Sequence, residues 1–166
     1  YLTWAILKAQ TQNCAGSVRL LSNDPRDTPY IDFCYFTEGN DTEGTDLQSV
    51  VEGIKFVRQL TDKMRKDGFI AEEELPGPDY QTDAQIADFV QNQAWGHHAS
   101  CSNPIGPRGK GGVVDSNFKV YGVEGLRIVD ASVFPKIPGF FIVSSVYMIG
   151  EKAADVIHAA AAGKAS

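Results

Sequence analysis

The sequence predicts an α+β fold in which a mostly antiparallel sheet is covered by helices. Short extended segments, interrupted by turn-forming residues, occupy the first and last thirds of the chain. Between them, and again at the carboxyl end, apolar residues recur at the spacing of amphipathic helices. The length of 166 residues favours one domain, and 43% hydrophobic residues are enough to bury a core.

The first extended region covers residues 17–36. Asp24 and Pro25 form a turn dipeptide near its middle, and Pro29 favours extended backbone around it. We therefore expect two short strands joined by this turn.

The first helix is predicted over residues 46–66. Thr45 and Gln48 fit a capping box at its amino end, and Gly68 lies where the helix should close. The following acidic segment, residues 71–80, contains two prolines and is predicted to be a solvated loop. The apolar residues at helical spacing are Leu47, Val50, Val51, Ile54, Val57 and Met64.

Two further helices and two extended segments follow. A second capping box, from Thr82 and Gln85, predicts a helix over residues 83–93. Residues 113–122 and 126–134 are apolar and extended in pattern, so we expect them to enlarge the sheet. A final amphipathic helix is predicted from about residue 144 to about residue 162.

Charge and hydropathy exclude several classes of protein. The chain has 15 Lys and Arg against 21 Asp and Glu, so its net charge of -6 gives no basic surface for nucleic acid. No apolar run reaches the roughly 18 to 20 residues that span a bilayer, so we expect no membrane segment. Asn40 begins an N-glycosylation sequon, which favours secretion over a cytoplasmic location.

The segment HHASCSNPIG, residues 97–106, carries the first candidate catalytic residues. Small residues follow His98, so another molecule can approach its imidazole closely, and a histidine near neutrality suits a general base. Two other interpretations stay open from the residues alone. His97 and His98 can be hydrogen-bonded groups of a polar turn, or they can join Cys101 in a zinc site that lacks further ligands. No metal-finger spacing, GxSxG elbow or phosphate loop is present.

Two motifs resemble those of a known enzyme family. GSVRLLSNDPRDTPYID, residues 16–32, and VYGVEGLRIVDASVFP, residues 120–135, resemble the carboxyl-terminal region of the glucose–methanol–choline (GMC) flavin oxidoreductases. The resemblance spans nearly the whole chain, and the second motif is its most specific part. It implies FAD as the cofactor, an alcohol or sugar as the substrate, and hydride transfer from carbon to flavin N5.

The resemblance also implies a base. The family's base is a histidine in a motif like H-P-V-G-T-C-x-M-G, and His98 stands at that position when residues 98–106 are matched without a gap. His97 is then the neighbour that shapes the pocket or supports the loop. The chain departs from the motif at Cys101, which replaces the glycine, and at Asn103, which replaces the cysteine.

Phe141 is the sharpest departure from the family. It stands where relatives have His or Asn, and a phenyl ring can neither accept a proton nor hydrogen-bond a hydroxyl. Two hypotheses follow. In the first, His98 is the base of an oxidoreductase, alone or with His97 in the second role. In the second, the chain is a non-catalytic binding or scaffold domain that has lost activity.

The resemblance further implies cofactor contacts. The aspartate that matches Asp130, with its neighbour Ala131, reaches the FAD ribityl and pyrophosphate in relatives. The backbone at Phe141 and Ile142 is implied to lie near the flavin ring. The start of the last helix, near Ser144, offers free N–H groups that suit an electron-rich flavin edge. No metal is implied.

The resemblance divides the chain between two domains of a larger enzyme. Residues 1–112 correspond to a substrate-binding domain, and residues 113–166 to its end and to the closing strand and helix of an FAD-binding domain. The Rossmann unit of that domain needs a GxGxxG motif, which this sequence lacks. We therefore expect an amino-terminal FAD-binding portion, in the same precursor or in a partner chain. Apolar surface on the last helix should be exposed without it.

Overall fold

The computed structural model describes residues 1–163, which form two compact units. The first unit is Tyr1–Trp95, and the second begins at Gly96. The predicted α+β class is confirmed, since the described residues contain one two-stranded antiparallel sheet and three helices. The elements are β1 (Ser17–Arg19), β2 (Tyr30–Asp32), α1 (Thr45–Lys66), α2 (Asp83–Gln93) and α3 (Val143–Ala161), with 3-10 turns at Arg108–Lys110 and Ala131–Val133. The division into residues 1–112 and 113–166 stays a prediction.

The sheet is much smaller than the sequence predicts. β1 and β2 pair over three residues each, with Ser17 opposite Asp32 and Arg19 opposite Tyr30. The extended segments of the second unit do not enlarge this sheet, and within residues 1–163 they form only isolated bridges. The expectation of a mostly antiparallel sheet covered by helices is therefore corrected to a single two-stranded ribbon.

Turns explain why the later extended segments are not strands. Phe118, Gly122 and Gly125 have φ angles of 63°, 81° and 74°, and each redirects the backbone after a few residues. Asp130 then starts a 3-10 turn, because its Oδ1 accepts the N–H of Ser132 at 2.7 Å. The pieces between these turns are too short for a continuous ladder.

α1 begins within one residue of its predicted start, but a different residue caps it. The predicted Thr45–Gln48 capping box does not form. Instead the carboxylate of Asp41 accepts the backbone N–H groups of Thr45 at 3.0 Å and Asp46 at 2.7 Å. A carboxylate here also suits the positive end of the helix dipole. Gly68, with a φ of 79°, follows the helix in the left-handed conformation, as its position predicts.

The capping box of α2 is confirmed. The N–H of Gln85 donates to Thr82 Oγ1 at 3.3 Å, and the N–H of Thr82 donates to Gln85 Oε1 at 2.9 Å. α2 packs against α1 to form the core of the first unit. The buried residues of this core are Val51 and Ile54 of α1 and Ile86 and Val90 of α2.

The acidic segment at 71–80 is more than a solvated loop. Arg58 of α1 binds the carboxylate of Glu73 through two nitrogens, at 3.0 Å and 2.8 Å, and donates to the carbonyl of Tyr80 at 2.8 Å. Both side chains of the ion pair are largely buried. The prediction of full solvation is wrong for Glu73. Its partner Arg58 lies 15 positions earlier in the chain, and a local sequence pattern does not show such a pairing.

The second unit packs its loops against α3. Its buried core consists of Val114, Phe118, Val133 and Ala153. The opposite surface of α3 carries the expected exposed apolar residues, with Tyr147 and Met148 each 72% exposed. Within residues 1–163, none of the helices is both long enough and apolar enough to cross a membrane.

Candidate active site

The loop that carries His98 is fixed against the 3-10 turn that follows Asp130. Three backbone hydrogen bonds join alternate residues of the loop to consecutive residues of the turn, at 3.2, 2.9 and 2.9 Å. The two candidate segments, separated by about thirty positions, therefore form one structure. The bonded pairs are Cys101 with Ala131, Asn103 with Ser132, and Ile105 with Val133.

A side-chain bond reinforces this junction. Asn103 Nδ2 donates to Ser132 Oγ at 3.1 Å, while the N–H of Ser132 donates to the carboxylate of Asp130. Ser132 thus connects the His98 loop to the proposed cofactor aspartate. The sequence pattern does not predict this contact, although Asn103 stands where the family motif has cysteine.

Cys101 lies in a backbone conformation that favours glycine. Its φ is 68°, in the left-handed region, and a side chain there costs about 1 to 2 kcal/mol. The family motif has glycine at this position, which the geometry explains. The half-buried thiol donates weakly to Ser100 Oγ at 3.6 Å.

The imidazole of His98 lies beside the phenyl ring of Phe141. Their centroids are 6.3 Å apart and the ring planes meet at 71°, an edge-to-face arrangement. His98 is half-buried, whereas Phe141 is 70% exposed and His97 is exposed. Among the described residues, no hydrogen bond or ion pair reaches the His98 imidazole. Each ring nitrogen of a histidine can donate or accept a hydrogen bond, whereas the phenyl ring beside it can do neither.

The start of α3 presents the donor groups expected near a cofactor. Ile142 is the N-cap, buried at 8%, and no side chain caps the helix. The backbone N–H groups of Val143, Ser144 and Ser145 precede the first intrahelical donor. Together with the positive end of the dipole, they suit the electron-rich edge of a flavin.

Asp130 supplies acceptor chemistry instead. Its side chain is exposed, and only one of its oxygens bonds Ser132, so the carboxylate can also accept hydroxyl groups such as those of a ribityl chain. Ala131 beside it is half-buried and binds the His98 loop through its carbonyl. These donors and acceptors fit FAD. No cluster of three or more His, Cys, Asp or Glu within residues 1–163 is placed to hold a metal.

Comparisons with known proteins connect this chain with one enzyme family. A family model described as GMC oxidoreductase matches residues 12–150. The GMC oxidoreductase family protein Mala s 12 of Malassezia sympodialis is 38% identical over 143 residues, 86% of this chain and 22% of the relative. The choline oxidase of Arthrobacter globiformis is 36% identical over 155 residues, 90% of this chain and 27% of the relative.

A solved structure shows a similar fold. The formate oxidase of Aspergillus oryzae superimposes with a TM-score of 0.72 at 36% identity, over 87% of this chain and 24% of that protein. The chain therefore spans about a quarter of the length of the proteins that it resembles.

Proposed function

The chain belongs to the GMC oxidoreductase family, and we propose that it is the substrate-side part of an FAD-dependent enzyme that oxidises the CH–OH group of an alcohol or sugar. The observation that carries this proposal is the contact between His98 and Phe141. This contact brings His98, which stands at the position of the family's base, next to Phe141, which stands where relatives have His or Asn.

In the proposed reaction, His98 accepts the hydroxyl proton through a free ring nitrogen. FAD, when bound, supplies the acceptor for the hydride, so the carbinol carbon loses two electrons and becomes a carbonyl carbon. Phe141 takes no part in proton transfer, because its ring has no donor or acceptor. Ala99 and Ser100, being small, leave space for the substrate beside the imidazole.

The cofactor is proposed to lie between Asp130 and the start of α3. The carboxylate of Asp130 and the N–H groups at Val143 and Ser144 would hold its polar edges, with Ala131 and Ile142 contributing backbone. The similar formate oxidase supports this choice, since its structure was solved in work on FAD modification. Other relatives are named as oxidases, which favours the catalytic proposal over a non-catalytic scaffold.

The test is His98→Ala in the full-length protein. Loss of a general base should slow flavin reduction by alcohols roughly 10²- to 10⁴-fold, measured under nitrogen by the flavin absorbance. His97→Ala should have a smaller effect, and His158→Ala on α3 is the matched control. Unchanged flavin reduction by every accepted alcohol in His98→Ala would remove His98 from the mechanism.

We also propose that an amino-terminal portion completes the FAD site, in the same precursor or in a partner chain. The exposed apolar residues of α3 support this, because surfaces of this kind are usually covered by a partner. Intact mass and a flavin absorbance scan of the active protein test it. A species with the mass of this 166-residue chain, carrying one flavin per chain, would contradict the proposal.

Secretion is proposed from Asn40. Its side chain is exposed, and its Oδ1 accepts the N–H of Cys14 at 2.9 Å, which leaves the amide nitrogen free for a glycan. Endoglycosidase treatment of protein from the native source should reduce its mass, and Asn40→Gln should abolish that shift. An identical mass before and after treatment would argue against glycosylation.

A further inference from the structure

The surface next to the candidate base is apolar on the side of Phe141. Phe140, Phe141 and Val143 are 59%, 70% and 58% exposed, and none can hydrogen-bond through its side chain. A hydroxyl group of a polyol placed there would lose its hydrogen bonds to water without replacement. An aromatic or alkyl group would instead gain contact with the phenyl ring.

The two stretches of chain that carry His98 and Phe141 lack the negative charge that a cationic substrate needs. Residues 94–107 and 135–150 contain no Asp or Glu, and Lys136 is the one Lys or Arg in these two stretches. A phenyl ring can attract a quaternary ammonium by cation–π interaction. Without a carboxylate in these two stretches, and with the Lys136 ammonium in one of them, that attraction is opposed by like charge.

The base itself leaves space on its other side. Ala99 and Ser100 are small, so a carbinol group can reach the His98 nitrogens while its substituent extends over Phe141. The imidazole and the phenyl ring are in edge-to-face contact, with centroids 6.3 Å apart, so a polar and an apolar group adjoin on this surface.

We infer that Phe141 determines the substrate class of this site, selecting neutral alcohols whose carbinol carbon bears an aromatic or extended apolar group over polyols and cationic alcohols. The inference rests on the proposed function, in that His98 and Phe141 are taken to face the same substrate.

Binding tests this inference without turnover. Tertiary alcohols have no carbinol hydrogen and cannot be oxidised, so they report affinity alone. The probes are 2-phenyl-2-propanol, the diol 2,3-dimethylbutane-2,3-diol and the cation (2-hydroxy-2-methylpropyl)trimethylammonium. Each is titrated into the FAD-loaded full-length enzyme and followed by the flavin difference spectrum. We expect the aromatic probe to bind at least tenfold more tightly than the other two.

Variants of Phe141 show whether this residue is responsible. Phe141→Asn should weaken 2-phenyl-2-propanol at least tenfold and leave the diol within about threefold, whereas Phe141→Tyr should retain the native preference. Phe141→Leu keeps an apolar side chain and serves if the Asn variant fails to fold. It should lose part of the preference for 2-phenyl-2-propanol over the diol. Phe56→Asn on α1 replaces a comparably exposed phenylalanine and is the control.

Two outcomes overturn the inference. One is equal or tighter binding of the diol or the cation by the native enzyme, and the other is an unchanged ratio in Phe141→Asn or Phe141→Leu. Failure of the proposed function gives a different result. In that case no primary alcohol reduces the flavin and His98→Ala has no effect on flavin reduction, while the relative affinities of the three tertiary alcohols can still be measured.

Discussion

The two units of this chain are stabilised in different ways. Among residues 1–163, each ion pair of a Lys or Arg with a carboxylate lies in the first unit, and one of its carboxylates, Asp46, is fully buried. The second unit is held by backbone bonds between its loops and by an apolar core. In the described part of the second unit, the loop around His98 is therefore held by backbone bonds rather than by ion pairs of Lys or Arg.

The largest effect is expected in the first unit, at Asp46. Its carboxylate binds Lys8 at 3.1 Å and accepts the N–H groups of Gln12 and Asn13. Asp46→Ala leaves these donors unpaired and should lower the free energy of unfolding by about 3 to 5 kcal/mol. Urea denaturation measures this change.

The control for Asp46 is Asp62→Ala. Asp62 pairs with Lys66 on the exposed surface of α1, so its loss should cost no more than about 1 kcal/mol. Equal effects of the two substitutions would show that burial does not distinguish the ion pairs of this unit.

The second unit should respond most to loss of apolar volume. Val133 is 2% exposed and is the last residue of the turn that binds the His98 loop. Val133→Ala should destabilise the protein by about 2 kcal/mol through lost burial and a residual cavity. Val129→Ala, at a partly exposed position just before the turn, should cost less than half as much. Calorimetric unfolding of both variants compares them, and similar losses would contradict this account of the core.

Cys101→Gly should stabilise the second unit. Removing the side chain relieves the left-handed strain, for a gain of about 1 kcal/mol, partly offset by the greater freedom of glycine in the unfolded chain. Cys101→Ala keeps the strain and should show no gain. Thermal unfolding separates the two variants, and a destabilised glycine variant would show that contacts of the thiol outweigh the strain.

The smallest effect concerns pH and the first unit alone. Hydrogen bonds from the backbone N–H of Asp46 and from Thr45 hold the pKa of the Asp41 carboxyl below its usual range. A lowered pKa in the folded state adds stability above about pH 4, and this is lost as the pH falls through the folded value. The protection of amides in the first turn of α1, taken relative to the intrinsic exchange rate at each pH, should therefore fall below about pH 4.

Asp41→Asn is the matching variant for this pH dependence. It keeps one acceptor oxygen but cannot titrate, so the protection of the first turn of α1 should change less with pH than in the native protein. An unaltered pH profile would show that another group controls the end of α1.

The helices were predictable because their signals are local. The Thr82–Gln85 box and the apolar periodicity depend on residues within one or two turns, and the three helices lie within about one residue of their predicted starts. The cap of α1 was not predictable in the same way. Asp41 and Thr45 both have side chains that cap helices, and the loop geometry decides which one reaches the free N–H groups.

In the candidate site, too, the residues were predictable from the sequence and their long-range contacts were not. His98, Asp130 and Phe141 were singled out by matching motifs along the chain, and their catalytic and cofactor roles stay predictions. The bond from Asn103 to Ser132 was not foreseen, because it joins side chains 29 positions apart.

The sequence by itself determined the family, the helices and the residue types available for chemistry, since these follow from motifs and local periodicity. The tertiary structure decided that the extended segments form turns rather than a broad sheet, because left-handed residues and the Asp130 cap interrupt them. It also decided that Phe141 lies against His98. That contact depends on how α3 packs on the core of the second unit, and long-range packing of this kind leaves no local pattern in the sequence.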